Sequence, residues 1–159
     1  MDYWKEAGGL NKSLPGTSRA ADRFVRTTHL LEAVPGEAAP KYLTGAPQQK
    51  FQFQAAMAVL SLMRSVGTPL GFSLEEQPWV SSTIWRTVSD STNRVVIFDS
   101  AMTPATFWVK LDDLDLRPGA PVKKLELAGG KTYSGNATDK FVAAKLFTFQ
   151  DLTDVAPAK

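Results

Sequence analysis

Side chains able to act as a nucleophile or a metal ligand are scarce in this chain of 159 residues. The sequence contains no cysteine, which excludes a disulfide, a thiolate nucleophile and any zinc site with cysteine ligands. His29 is the only histidine, and a Ser-His-Asp arrangement would have to be built around it. No Gly-x-Ser-x-Gly turn is present to supply the serine. We therefore expect His29 to take no part in catalysis, and we expect no metal and no cofactor.

An acidic cluster and three tryptophans are weaker candidates for a site. Asp112, Asp113 and Asp115 could bind calcium weakly, but the loop glycine and terminal glutamate of an EF-hand are missing. A solvated acidic turn is the favoured interpretation. The tryptophans could line an apolar substrate pocket, although packing in a core or hairpin is favoured because two of them lie in alternating segments. They are Trp79, Trp85 and Trp108.

Composition is that of an ordinary globular protein. Apolar residues make up 43% and charged residues 21% of the chain, and this length favours a single domain spanning residues 1–159. The net charge of +2 is spread without a basic block, so it gives no footprint for nucleic acid. No apolar run reaches the roughly 18 residues that span a bilayer. The first residues lack the pattern of a signal peptide, and the sequence assigns no compartment.

Apolar spacing predicts two helices in the first half of the chain. The first begins after Thr17 or Ser18, either of which can cap it, and ends at Pro35-Gly36. Its predicted buried stripe consists of Ala21, Phe24, Val25, Thr28 and Leu31. After a loop, the second helix runs from about Phe51 to a stop at Gly67 and is apolar on more than one side, as expected for a helix packed against a sheet. Its apolar positions are Phe51, Phe53, Ala55, Met57, Val59, Leu60, Leu62 and Val66.

Alternating polarity predicts strands in the second half. Residues 83–88, 94–98 and 106–111 are separated by short connections, and the middle run is apolar on both faces. These features predict an antiparallel meander with a central second strand. Beyond it we expect a short edge strand within 122–127, a turn at Gly129-Gly130, and apolar residues in 141–149 that pack back on the body. Helices followed by strands give an α+β fold.

Several segments together resemble one family of enzymes. Leu14-Pro15-Gly16-Thr17 followed by Asp22-Arg23-Phe24-Val25-Arg26 is similar to a signature stretch of the choloylglycine hydrolase family, which includes bile salt hydrolases and penicillin V acylases. The preceding Asp2-Tyr3-Trp4 and Gly8-Gly9 also resemble bacterial members. Further similar segments follow in the family's order, so that the resemblance covers most of the chain: 82–90, 93–98, 107–109, 118–122 and 139–142.

The resemblance implies a fold and a reaction. The family's fold is a four-layer αββα sandwich with its active site at the edge of two packed antiparallel sheets. Its members hydrolyse linear amide C–N bonds with an N-terminal cysteine, whose own α-amino group acts as the base. Because this sequence has no cysteine, the resemblance implies a C-terminal portion without the nucleophile. One site arginine carries over, namely Arg23 with Arg26 as the second choice, and its implied role is to stabilise negative charge.

The sequence leaves three interpretations of the whole chain. The favoured one is a C-terminal portion of a hydrolase acting on penicillin V, conjugated bile salts or other N-acyl amides, inactive alone, with an N-terminal fragment or a second copy as partner. A non-catalytic ligand-binding remnant and a truncation product without function are the alternatives. From the residues alone, the favoured interpretation of Arg23 is a surface arginine that is solvated or paired with Asp22 or Glu32, and only the resemblance brings the site role level with it.

Overall fold

The structure, a computed structural model, describes residues 14–37, 51–72, 75 and 81–149. Two helices come first and short strands follow, which confirms the predicted α+β class. Short 3-10 turns at Leu111–Asp113 and Thr138–Lys140 interrupt the second half. The helices and strands are α1 (Ala20–Glu32), α2 (Phe51–Ser65), β1 (Trp85–Asp90), β2 (Val95–Ser100), β3 (Thr106–Lys110), β4 (Lys123–Lys124), β5 (Gly135–Asn136) and β6 (Val142–Ala143).

Strands β1, β2 and β3 form the predicted antiparallel meander, with β2 in the centre. β5 adds to β3 in parallel, which the sequence did not predict because two residues are too few to show an alternation. The expected edge strand within 122–127 shortens to β4, which pairs with β6 in a separate ladder. Leu125 leaves the ladder and packs instead into an apolar cluster on the main sheet.

Helix α2 packs against both the sheet and α1. Its contacts with β1 and with α1 account for its broad apolar surface. We call the sheet face covered by α2 the inner face. There Ala56 and Leu60 of α2 pack with Val88 and Ile97, all of them buried. This cluster fixes α2 on the meander.

The outer face of the sheet carries a second apolar cluster. Phe107, Val109 and Ala137 are its buried members. The ring of Phe98 stacks on that of Phe107 with centroids 5.1 Å apart, and Tyr133 meets Phe107 edge to face at 5.6 Å. The segment after β3 therefore covers only one part of the outer face.

The predicted buried stripe of α1 is wrong. Phe24 is 66% exposed and Leu31 is 54% exposed, and no residue of α1 is buried. The helix contacts α2 through another side, which includes Arg23. Apolar spacing identifies a face suited to burial, but it does not say whether a neighbouring element covers that face.

Two local predictions are also corrected. The N-cap of α1 is Arg19, and neither Thr17 nor Ser18 caps it. Instead, the Thr17 hydroxyl donates a hydrogen bond to the Asp22 carboxylate and accepts one from the Arg19 N–H. In the last described segment, Phe141 packs on the outer cluster. Contrary to expectation, four other large apolar side chains there are exposed, namely Val142, Leu146, Phe147 and Phe149.

Within the ranges given above, neither helix is long and apolar enough to cross a membrane.

Substitution of Leu60 tests which surface of the helices forms the core. Leu60 is 3% exposed, so Leu60→Ala should lower the free energy of unfolding by about 2–5 kcal/mol through lost contacts and a cavity. Leu31→Ala on the exposed face of α1 is the control, with an expected change within about 0.5 kcal/mol. Urea denaturation measures both. Equal losses would contradict the assigned burial.

Candidate functional site

Arg23 lies on the side of α1 that faces α2. Its Nε donates a hydrogen bond of 2.8 Å to the backbone carbonyl of Val66, just beyond the last residue of α2. Carbonyls at the end of a helix lack partners within the helix and carry partial negative charge, so a guanidinium is a favourable donor there. Val66 is buried, at 4% exposure. The packing of α2 therefore positions one edge of the Arg23 guanidinium.

The rest of the Arg23 guanidinium has no protein partner among the described residues. No described residue accepts a hydrogen bond from its Nη1 or Nη2, and it forms no ion pair with Asp22 or Glu32. Asp22 accepts from Thr17 instead. The surface ion pair that the sequence allowed for Arg23 is therefore not formed. Both terminal nitrogens can donate to an anionic group.

Arg26, the second choice for the site arginine, has a different set of partners. Its Nη1 donates to the backbone carbonyls of Pro15 at 2.6 Å and Thr17 at 2.9 Å. These bonds tie the segment before α1 back to the helix. Arg26 is thus engaged in local structure, whereas Arg23 bridges two helices.

A buried charge cluster, absent from the sequence-based prediction, lies on the inner face. Asp99 is 4% exposed and accepts hydrogen bonds from both flanking arginines and from the Thr106 hydroxyl. Arg64 donates through Nη2 to Oδ1 at 2.5 Å and through Nε to Oδ2 at 3.1 Å. Arg86 donates through Nη1 to Oδ2 at 3.1 Å, and Thr106 to Oδ1 at 2.7 Å. We refer to these four residues as the Asp99 cluster.

The Asp99 cluster keeps its central carboxylate ionised. Hydrogen bonds from Arg64, followed by those from Thr106 and Arg86 and the charge of Arg64, lower the pKa of Asp99, and they outweigh the cost of burial, which acts in the opposite direction. The same partnership raises the pKa of Arg64. The guanidinium and carboxylate groups therefore stay charged together.

The Asp99 cluster connects the end of α2 to the sheet, and through it to Arg23. Arg64 stands two positions before Val66, whose carbonyl holds Arg23. Gly67 packs so closely on Arg86 that a Cβ at this position would lie 2.7 Å from Nη2. The following residue is fixed as well, because Thr68 and Thr83 exchange two hydrogen bonds.

Sequence reasoning missed the Asp99 cluster because its members are distant along the chain. Arg64 and Asp99 are 35 residues apart, and only the packing of α2 brings them together. Arg86 and Thr106 are the cross-strand neighbours of Asp99 in the register of the sheet. One usable signal was present, since Arg86 occupies an inward position of an alternating strand and a buried arginine needs a carboxylate.

A half-open cavity of about 540 Å³ lies on the outer face, beside the second apolar cluster. Trp85 and Met102 line it, although both are more than half exposed. The rest of the wall consists of Phe98, Tyr133, the glycines of the 129–130 turn and Lys131. The chemistry of this cavity suits an apolar or aromatic group.

The tryptophans divide between the two uses that the sequence allowed. Trp108 packs against the inner cluster, with its ring edge to face with Phe53 at 6.5 Å, as predicted. Trp85 does not pack in a core, and the prediction for it is wrong. Its side chain is 59% exposed and lines the outer-face cavity. Trp79 lies outside the described residues.

The acidic cluster behaves as a solvated turn. Asp112 pairs with Arg94 at 2.9 Å and Asp115 with Arg117 at 2.8 Å, with all four side chains substantially exposed. Across the described ranges, no group of three or more His, Asp or Glu residues is placed to hold a metal ion. His29 lies in the last turn of α1.

Comparison with known proteins relates the chain to penicillin V acylases. It is 38% identical over 154 residues to a penicillin V acylase of Pectobacterium atrosepticum, a match that covers 94% of this chain and 40% of that protein. The solved structure of penicillin V acylase from Agrobacterium tumefaciens matches with a TM-score of 0.79 and 38% identity, covering 95% of this chain and 44% of that one. No protein-family model matches the chain.

These matches confirm the predicted relationship. The chain is a member of the choloylglycine hydrolase and penicillin V acylase family of N-terminal-nucleophile hydrolases. It spans less than half the length of the two relatives, which fits the predicted match to a portion of them.

Asp99→Asn tests the importance of the Asp99 cluster. Loss of the charge leaves Arg64 and Arg86 facing each other without a carboxylate, and we expect the free energy of unfolding at pH 7 to fall by about 3 kcal/mol. The native contribution of Asp99 is complete above the ordinary carboxyl pKa of 3.8 and disappears as the pH falls towards the lower pKa of the folded state. The gap between native chain and variant should therefore narrow in acid, as measured by urea denaturation at several pH values.

The matched control is Asp115→Asn. Asp115 also pairs with one arginine, but on the surface, where such a pair contributes less than about 1 kcal/mol. If Asp99→Asn cost no more than this control, the Asp99 cluster would not be a constraint on the fold.

Proposed function

We propose that this chain is part of a hydrolase of linear amide C–N bonds and that it contributes Arg23 to the reaction site. The main support is the match to a penicillin V acylase, which covers 94% of the chain. A match of that extent includes the segment that contains Arg23. The geometry supports the proposal. One edge of the Arg23 guanidinium is fixed on a buried backbone carbonyl, and its two terminal nitrogens have no acceptor among the described residues.

The proposed architecture is half of a four-layer αββα sandwich. Helices α1 and α2 would form one outer layer and the β1-β2-β3-β5 sheet the adjacent inner layer. The exposed apolar side chains support this arrangement, because a monomer rarely leaves such groups in contiguous contact with water. Around the outer-face cavity they include Trp85, Met102 and Leu127, and on α1 they are Phe24 and Leu31.

The proposed reaction needs a nucleophile from another polypeptide segment, in the same or a separate chain. That segment would supply the cysteine thiol, which attacks the amide carbonyl, and the α-amino group that accepts the thiol proton. Arg23 would act as a fixed positive charge, since a guanidinium does not lose its proton in a protein. Its role would be to stabilise the thiolate and the negative charge that develops on the carbonyl oxygen.

The proposed substrates are amides that carry an apolar acyl group. Penicillin V is the substrate named for both relatives, and we extend it to this chain as a proposal. Conjugated bile salts and other N-acyl amides stay within the same proposal, since all of them present a linear amide bond.

Substitution of Arg23 in a reconstituted enzyme tests the proposal. The chain is mixed with a polypeptide corresponding to the nucleophile-bearing remainder of the Agrobacterium enzyme, and release of phenoxyacetate from penicillin V is measured. We expect hydrolysis by the mixture and none by the chain alone. Arg23→Met should lower kcat/KM by about 100-fold or more, the effect of losing one stabilising donor in a reaction site.

Two other arginines of this region serve as controls. Arg19→Met, at the exposed start of α1, should leave kcat/KM unchanged. Arg26→Met should mainly lower stability, because Arg26 holds the segment before the helix. Unchanged turnover in Arg23→Met, or turnover by the chain alone, would refute the proposed role.

A second candidate function is binding of an apolar ligand without turnover. The outer-face cavity of about 540 Å³ favours it, because that volume and its aromatic lining match those of small-molecule sites. In this interpretation the chain keeps a pocket and has no catalytic role.

Titration with taurocholate, followed by tryptophan fluorescence, tests this second candidate. Binding in the cavity should quench the signal of Trp85 in a saturable way, with no hydrolysis of the ligand. Trp85→Phe should abolish the change, whereas Trp108→Phe on the inner face should preserve it. A change that persists without Trp85, or no saturable change at all, would exclude the cavity as the binding site.

A further inference from the structure

Strand β1 has an unpaired edge. Among the described residues its one strand neighbour is β2. The carbonyl of Ile84 accepts a hydrogen bond of 2.9 Å from the Ala101 N–H, so backbone groups at every second position from Ile84 onward point towards β2. The backbone N–H and C=O groups of Trp85, Thr87 and Ser89 therefore point away from the sheet.

This edge lacks the features that usually block the addition of a further strand. Residues 85–90 include no proline, glycine or lysine, and their pairing with β2 is continuous without a bulge. The one cation, Arg86, is turned to the inner face and bound by Asp99. Within the described part of the chain, the edge therefore presents a regular row of donors and acceptors without strand partners.

A groove beside the edge is a second, independent observation. It has a volume of about 310 Å³ and lies on the inner-face side, between α2 and the last residues of β1. Ala55 and Val59 of α2 line it together with Val88, so its floor is apolar. Because side chains alternate along a strand, a strand paired with β1 would turn an inward side chain towards this floor near Val88. Helix α2 thus offers apolar cover for a strand added beside the end of β1.

We propose that the edge of β1 is the place where an extended segment of the nucleophile-bearing polypeptide joins the sheet. This inference rests on the proposed function. The solved relative has more than half of its chain without a counterpart here, yet the part that matches superposes with a TM-score of 0.79. In the proposed hydrolase, the part without a counterpart here would therefore contact the described fold at surfaces that are exposed in this structure. The incoming strand should carry apolar side chains on its inward positions and form backbone hydrogen bonds with Trp85, Thr87 and Ser89.

Amide hydrogen exchange, followed by NMR, tests the site directly. In the isolated chain the amides of Arg86 and Val88 should exchange slowly because they pair with β2, while those of Thr87 and Ser89 exchange fast. Addition of the nucleophile-bearing remainder of the Agrobacterium enzyme should slow the exchange of the Thr87 and Ser89 amides by about tenfold or more, since each amide gains a hydrogen bond. Arg86 and Val88 serve as internal controls.

A variant of the edge provides a second measurement. Thr87→Pro removes an outward N–H that β2 does not use, so the fold should persist while affinity for the added polypeptide falls about tenfold or more. Thr87→Val keeps the N–H at nearly the same size and should bind normally.

The possible results separate this inference from the proposed function. If a complex forms while the Thr87 and Ser89 amides still exchange fast, or if no complex forms, the proposed docking site is refuted. Protection that instead appears in the isolated chain with rising concentration and a dimer's mass assigns the edge to a second copy, which also overturns it. Protection of the edge in a complex that fails to hydrolyse amides supports the docking site and contradicts the proposed function.

Discussion

The structure depends on one buried carboxylate that is shared by a helix and two strands. Asp99 of β2 can be buried because Arg64 of α2 and Arg86 of β1 neutralise it and Thr106 of β3 satisfies it. These partners meet only when the sheet is in register and α2 is seated on it. Displacement of α2, β1 or β3 would each remove hydrogen bonds that the buried carboxylate accepts, so the cluster specifies the arrangement as well as stabilising it.

The same constraint extends to the candidate site. Arg64 lies within one helical turn of Val66, and the carbonyl of Val66 holds Arg23. The Arg23 guanidinium thus belongs to α1, but its position is determined by how α2 packs on the sheet. Arg26, on the same helix, has no such link, because its acceptors belong to the segment just before α1.

The fold leaves several apolar or unpaired surfaces exposed, and the chain spans less than half the length of the two relatives. The inner face of the sheet is covered by α2, whereas the outer face, one side of α1 and the edge of β1 leave apolar or unpaired groups exposed in the described part of the chain. Each is a surface where further protein would remove apolar area from water or pair free backbone groups. In the proposed hydrolase, the remaining part of the enzyme would pack on these surfaces.

The sequence by itself determined the two helices, the three-stranded meander and the family. The apolar periods predicted α1, α2 and the meander with β2 at its centre, because these patterns are local, and several ordered segments indicated the hydrolase relationship that comparison confirmed. Tertiary structure alone decided which apolar faces are covered, so the stripe of α1 containing Phe24 proved to be exposed. It also decided the partners of the charges, since the 35 residues between Arg64 and Asp99 leave no trace of their contact in a local pattern. Burial and long-range ion pairing are properties of the assembled chain, and no short stretch of sequence contains both Arg64 and Asp99.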